Sequence, residues 1–246
     1  MNKDQYLLIV GCSHASGSEI DGTDESKYNR EHSFGNLLAN KLNRIPINAA
    51  SSGSTNSTIA RSVLEWFDTS YNSETMDVMV LISWTESSRM EIPSEDIRWY
   101  GELEKAADWL STTHCNFLRI NHGWQGNSAY EKKIIPSYQR FLANNYDYLE
   151  IYSANLVLQI QYFLQSKNID YIMCNSMYMF KESKYLDFYL KQIDQSKYIN
   201  MMNEKLSFYW NYRNKGYENT KAKYWHHDEE PHRLYAKKLF KFIKNQ

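Results

Sequence analysis

Leu7-Leu8-Ile9-Val10-Gly11-Cys12-Ser13-His14-Ala15-Ser16-Gly17 is the stretch on which the fold is read. Four apolar residues run without a polar break, as in a strand buried on both faces of a parallel sheet. Gly11 then permits a sharp turn, and small residues follow to Gly17. The turn places Ser13 at the carboxyl end of the first strand, the edge at which open α/β sheets bind ligands. A hydroxyl held there beside free backbone N–H groups is a candidate nucleophile, and the plain alternative is a loop Ser that caps the next element.

Outward from this stretch the pattern repeats. Residues 18–30 form a polar excursion, and Ser33 caps a helix carrying Phe34, Leu37, Leu38 and Leu42. Residues 46–50 form a second strand that ends in Ser51-Ser52-Gly53-Ser54-Thr55-Asn56. Thr55 or Asn56 then caps a helix carrying Ile59, Ala60, Val63, Leu64 and Phe67. Residues 78–82 form a third strand, ending in Ser83-Trp84-Thr85-Glu86-Ser87-Ser88-Arg89. Three strand-to-loop junctions alternating with helices predict a three-layer α/β/α fold around a doubly wound, mostly parallel sheet of the flavodoxin-like kind. All three loops then share one sheet edge.

The remainder is less regular. Residues 90–136 are expected to form an inserted helical cap, within a single domain that spans 1–246. One long helix is expected over 138–167, a fourth strand over 169–174, helical pieces over 186–193 and 199–212, and a last helix from Asp228. No internal repeat or linker breaks the chain.

Composition narrows the function classes. With 246 residues the chain can bury a sizeable core, and a formal net charge of −1 gives no pull toward nucleic acid or acidic membranes. No segment approaches membrane-spanning length. Residues 1–6 are polar and the apolar run after them is short for a signal peptide, so a cytoplasmic location at synthesis is expected, with export by lysis or assembly into a particle open. Cys12, Cys115 and Cys174 form neither a disulfide framework nor a metal pair, and His114 and His122 have no third ligand. No metal or cofactor is therefore expected. The aromatic share is 15%, with 20 Tyr and 7 Trp, a surplus that packs cores or lines a groove.

The three junctions, with Trp225-His226-His227-Asp228-Glu229-Glu230-Pro231-His232, resemble the SGNH (GDSL-type) hydrolases. Gly11-Cys12-Ser13 with Gly17 matches that family's first block, with Cys12 in place of its Asp. Gly53 matches the second block. In the third, Ser83-Trp84-Thr85-Glu86 stands in place of Gly-x-Asn-Asp. This resembles a phage-like branch in which a Trp-Thr/Ser pair and a following Arg occupy the position.

The resemblance implies a serine esterase that needs no cofactor, with Ser13 as nucleophile. It implies an oxyanion hole from the amides of Ser13 and Gly53 with Thr85 or Asn56. It also implies a His before the last helix as base. His226 fits by counting back from Ala236, but Lys223 and Tyr224 stand where the acidic partner belongs. In the competing register Asp228 or Glu229 orients His232, and His227 is the third candidate. Asp228, Glu229 and Glu230 also suit plain support of a helix N-terminus. For His226 the partner is expected to be a backbone carbonyl, a water or a carboxylate from elsewhere in the chain.

His14, Trp84 and Arg89 are candidate substrate contacts. A turn His, a core Trp and a solvated Arg are their ordinary roles. Trp99 and Trp124 could join Trp84 as a stacking wall. The expected substrate is a small-molecule or glycan O-acyl ester, with carbohydrate O-acetyl as one case. The alternative is a degenerate relative that binds a glycan or protein partner without turnover. The oligomeric state is open.

Overall fold

The structure is a computed structural model that describes residues 3–24, 26–93, 117–120, 129–177, 179–181 and 184–246. Strand β1, Asp4–Gly11, leads into a one-turn helix α1, Ser13–Ser16. Helices α2, Lys27–His32, and α3, Phe34–Lys41, precede strand β2, Ile45–Asn48. Helix α4, Asn56–Thr69, precedes β3, Met76–Trp84. Strands β4, Met90–Pro93, and β5, Phe117–Ile120, form a separate antiparallel pair. Helices α5, Ala129–Asn144, and α6, Tyr146–Ser166, lead to β6, Asp170–Asn175. Short helices α7, Asp187–Leu190, and α8, Phe208–Arg213, are followed by α9, Glu229–Lys244.

The main sheet has the order β2-β1-β3-β6, and all its pairings are parallel. Register pins Leu8 between Ile47 and Val80. Alternation along β1 explains the three layers. Leu8 and Val10 face one side, with Val80 and Ile82, against Ala60 and Val63 of α4 and Val157 and Ile160 of α6. Leu7 and Ile9 face the other side, with Met79 and Leu81, against Leu38 of α3 and Tyr235 and Leu239 of α9. All four apolar residues of β1 are fully buried. Each such side chain contributes about 1.5–3 kcal/mol, so this strand anchors both cores at once.

The helix caps expected at Ser33 and Thr55 are present. Ser33 accepts from the Asn36 amide, and Thr55 forms a reciprocal capping box with Thr58. Several expectations need correction. The single helix over 138–167 is two helices, α5 and α6, because Asn145 leaves helical geometry at φ −131° and ψ 43°. The helical piece over 199–212 reduces to a 3-10 turn, Glu204–Leu206, and α8. The helical cap over 90–136 falls largely on 94–116 and 121–128, outside the described residues; its described portions are the β4–β5 pair and the start of α5. No described helix is long and apolar enough to cross a membrane.

One core carboxylate has a testable consequence. Glu150 of α6 is fully buried; Oε1 accepts from the Lys181 amide at 2.9 Å, and Oε2 has no partner among the described residues. Burial pushes its carboxyl up to about 7. In the unfolded chain it ionises near 4.5. Stability attributable to the protonated form is thus complete at low pH and is lost as pH rises toward 7. The loss is about 1.4 kcal/mol per pH unit within that window. Relative to the parent, Glu150→Gln is expected to gain denaturant resistance between pH 4.5 and pH 8. An equal difference at both pH values would show that Glu150 ionises normally.

Candidate active site

The loops after β1 and β2 meet the segment before α9 at the carboxyl edge of the sheet. There they line a cavity of about 400 Å³ whose described walls include Ser13, His14, Ser52, Gly53, Arg89, Tyr209, Trp225 and His226. Gly11 makes the first turn possible, because a Cβ there would lie 2.6 Å from the Ala15 Cβ and 3.0 Å from the Ser83 Cβ. Gly17 ends α1 in the left-handed region at φ 82°, where a Cβ would meet the Asn29 carbonyl oxygen at 2.3 Å. Ser13 is 8% exposed. Its hydroxyl and the amides of Ser13 and Gly53 make no hydrogen bond to described residues.

The strongest feature of the cavity is one that the sequence reading did not name. His226 Nδ1 lies 2.6 Å from Oε2 of Glu19. Glu19 is only 2% exposed, and its carboxylate also accepts from the Lys223 amide at 2.9 Å and from the Tyr224 amide at 2.9 Å. The Glu19 backbone is in the left-handed region, at φ 63°. That conformation is uncommon for a residue with a Cβ and persists where the surroundings impose it. Here the Glu19 amide donates to the Thr23 carbonyl, and Asn219 donates to the Glu19 carbonyl at 2.7 Å. The loop after α1 and the loop before α9 are therefore clasped through one residue. An ionised carboxylate only accepts, so this contact calls for a proton on Nδ1, and in a neutral ring that tautomer leaves the lone pair on Nε2.

His227 and His232 are occupied elsewhere. His232 is 1% exposed; its Nδ1 accepts from the Phe34 amide at 3.1 Å, and its ring packs against Phe34 and Phe208. It joins α9 to the first turn of α3, and burial holds its imidazole well below the usual range. It does not line the cavity that Ser13 lines. His227 Nδ1 and Nε2 face the carbonyls of Tyr217 and Tyr209 at 3.1 and 3.0 Å, so it ties α8 to the loops around it. Asp228 is the N-cap residue of α9, with Glu229 and Glu230 in the first turn, and it contacts neither His226 nor His232 by hydrogen bond.

His14 does reach the cavity. Its ring centre is 5.0 Å from that of His226, its Nδ1 is buried without a partner among the described residues, and burial lowers its pKa well below the ordinary value. Arg89 also lines the cavity, with Nε on Glu86 Oε1 at 2.9 Å.

Thr85, Asn56 and Trp84 do not join them. Asn56 Oδ1 accepts from the Thr85 amide at 2.9 Å, while its Nδ2 faces the Thr85 carbonyl, Ser153 Oγ and Met179 Sδ. This amide ties α4 to the end of β3; Thr85 is fully buried, its hydroxyl has no partner among the described residues, and neither residue lines the cavity. Trp84, the last residue of β3, is fully buried in the core on the α4 and α6 side of the sheet. Trp99, Trp124, Cys115, His114 and His122 lie outside the described residues. Among the described residues no group of His, Cys, Asp or Glu is arranged to hold a metal ion.

The exposed aromatic wall is formed by other residues. Tyr224 is 54% exposed and Trp225 is 71% exposed, and the Arg213 guanidinium lies 5.1 Å from the Trp225 ring centre. Nothing in the apolar periodicity marks this pair, because it sits in a loop. The only sequence signal for Glu19 was a carboxylate close behind Ser13.

Neither a family model nor a curated protein matches the chain. Among solved structures it is similar to the psychrotrophic esterase EstA from Pseudoalteromonas sp., at 14% identity and a TM-score of 0.49, covering 99% of this chain and 98% of that one. It is similar to a lipolytic G-D-S-L family member from Veillonella parvula, at 12% identity and a TM-score of 0.37, covering 98% and 100%. An acetyl xylan esterase from Butyrivibrio proteoclasticus matches at 12% identity and a TM-score of 0.47; the alignment covers all of this chain and 64% of that one. The chain is thus an α/β protein with a parallel sheet, and the solved structures to which it is similar include esterases.

Proposed function

We propose that this protein is a serine esterase that hydrolyses an O-acyl ester through Ser13, His226 and Glu19. The observation that carries the reading is the buried Glu19–His226 pair, 2.6 Å apart, in a cavity that Ser13 and Gly53 also line. A Ser hydroxyl is a poor nucleophile at neutral pH and needs a neutral imidazole to take its proton. Glu19 fixes the tautomer that leaves Nε2 free for this work. As Ser13 Oγ attacks the ester carbon, charge forms on the carbonyl oxygen, and the amides of Ser13 and Gly53, which donate to no described residue, receive it. The exposed faces of Tyr224 and Trp225 suit stacking against a sugar ring, so a carbohydrate O-acyl ester is the preferred substrate class.

A fluorophosphonate probe tests the nucleophile. The expected result is covalent labelling of the parent and none of Ser13→Ala, together with hydrolysis of short p-nitrophenyl esters by the parent alone. Equal activity of the two proteins would sink the assignment. A second reading, glycan binding without turnover, is favoured by one observation: Ser13 Oγ donates to no described residue, His226 included. Catalytic hydrogen bonds are often long before substrate binds, and for that reason the esterase reading is preferred. Persistent silence toward the probe, with a glycan retained on the protein, would reverse the preference.

A further inference from the structure

We infer that Arg89 is the side-chain donor that receives the substrate's carbonyl oxygen as negative charge forms on it. The inference rests on the esterase reading and adds a catalytic residue to it. Arg89 follows β3, the position from which a third oxyanion donor was expected, and it lines the same cavity as Ser13, Gly53 and His226. Of the two neutral donors near that position, the Asn56 amide is held by Thr85, Ser153 and Met179, and Thr85 is fully buried and does not line the cavity. Arg89 is also the one permanently cationic side chain among the described residues of the cavity wall.

The guanidinium is fixed before any substrate arrives. Its Nε donates to Glu86 Oε1 at 2.9 Å, and Nη2 faces the weak acceptor Met177 Sδ at 3.6 Å. Nη1 donates to no described residue. The side chain is only 14% exposed, and in such shelter a charge acts more strongly than in water.

Charge balance gives the arrangement its selectivity. Glu86 offsets Arg89 in the resting site, so a neutral ester carbonyl gains little there. The tetrahedral oxyanion gains more, which is the differential binding that speeds a reaction. In the step itself the Ser13 Oγ–carbon bond forms, and the carbonyl π pair moves onto oxygen. The Ser13 proton passes to His226 Nε2. The oxyanion pair then returns, the carbon–oxygen bond to the alcohol breaks, and the leaving oxygen takes the proton from His226. Water releases the acyl group by the same sequence. Arg89 keeps its protons throughout.

The test uses p-nitrophenyl acetate, which carries no anionic group, with Arg89→Gln, Arg89→Lys and the double variant Arg89→Gln/Glu86→Gln. For Arg89→Gln, kcat is expected to fall roughly 10²–10³-fold with KM within about threefold of the parent. Arg89→Lys should recover part of kcat. The double variant should match Arg89→Gln, because the loss comes from the missing donor and not from a stranded Glu86. Three results would overturn the inference. One is unchanged kcat on this neutral ester, with KM rising only for an ester whose acyl chain ends in a carboxylate; Arg89 would then hold a substituent. Another is recovery of kcat in the double variant. The last is a parent that neither hydrolyses esters nor takes the fluorophosphonate at Ser13, which removes the esterase reading as well. Loss in the Arg89 variants with Ser13 still labelled in the parent separates the two cases.

Discussion

His226→Ala is expected to lower ester hydrolysis roughly 10²-fold or more while leaving the fold intact, the size of loss that follows removal of a general base. His232→Ala should show the opposite pattern. His226 stands at the cavity wall on a loop, and its ring bridges Glu19 and the open site. His232 is buried, and its removal takes the acceptor from the Phe34 amide and the ring packed on Phe34 and Phe208. An unsatisfied buried amide alone costs about 1–3 kcal/mol. His232→Ala should therefore melt earlier, with a specific activity per folded molecule near that of the parent. Activity and thermal melting measured on both variants decide the matter. A reversed ranking, with His232→Ala inactive when folded, would overturn the choice of base.

Glu19→Gln is the second large effect. The substitution preserves size, and a carbonyl oxygen at the Oε1 position can still accept from the Lys223 amide at 2.9 Å and the Tyr224 amide at 3.2 Å. When the oxygen faces those amides, the new NH₂ group faces His226 Nδ1. That contact asks Nδ1 to accept, which moves the ring proton to Nε2 and removes the lone pair that takes the Ser13 proton. A kcat loss of roughly 10²–10⁴-fold is expected, with melting close to the parent. Glu19→Ala should lose activity and stability together, because two backbone amides and one imidazole N–H then lack their acceptor. Glu19 acts through His226 as a positioning residue. The split between Gln and Ala is the readout that a purely structural role would not produce. Full activity in Glu19→Gln would show that the tautomer is set by another group.

Much of the architecture was legible without coordinates. Leu7, Leu8, Ile9 and Val10 specify a strand with cores on both faces, because alternate side chains point to opposite sides and all four are apolar. Residues 78–82 repeat the signal, and together these runs determine the centre of the sheet. Ser33 and Thr55 mark helix starts because a side-chain oxygen there meets otherwise unpaired amides. The position of Ser13 at the strand's carboxyl end follows from the same local rules.

Tertiary structure decided what those rules cannot reach. Which of three histidines faces the site depends on whether each ring turns toward the cavity, a buried amide or a pair of carbonyls. Those partners lie far away in sequence: Glu19 for His226, Phe34 for His232, Tyr209 and Tyr217 for His227. Glu19 itself sits in a polar loop with no periodicity. It becomes the acidic partner only when that loop closes against the segment before α9. Asn56 shows the reverse case: its position suggested an oxyanion donor, and the proximity of β3 and α6 committed its amide to structure. Apolar periodicity is a local property of the chain and can be read from neighbours in sequence. A polar side chain's role is set by whichever donor or acceptor the folded chain brings within about 3 Å of it.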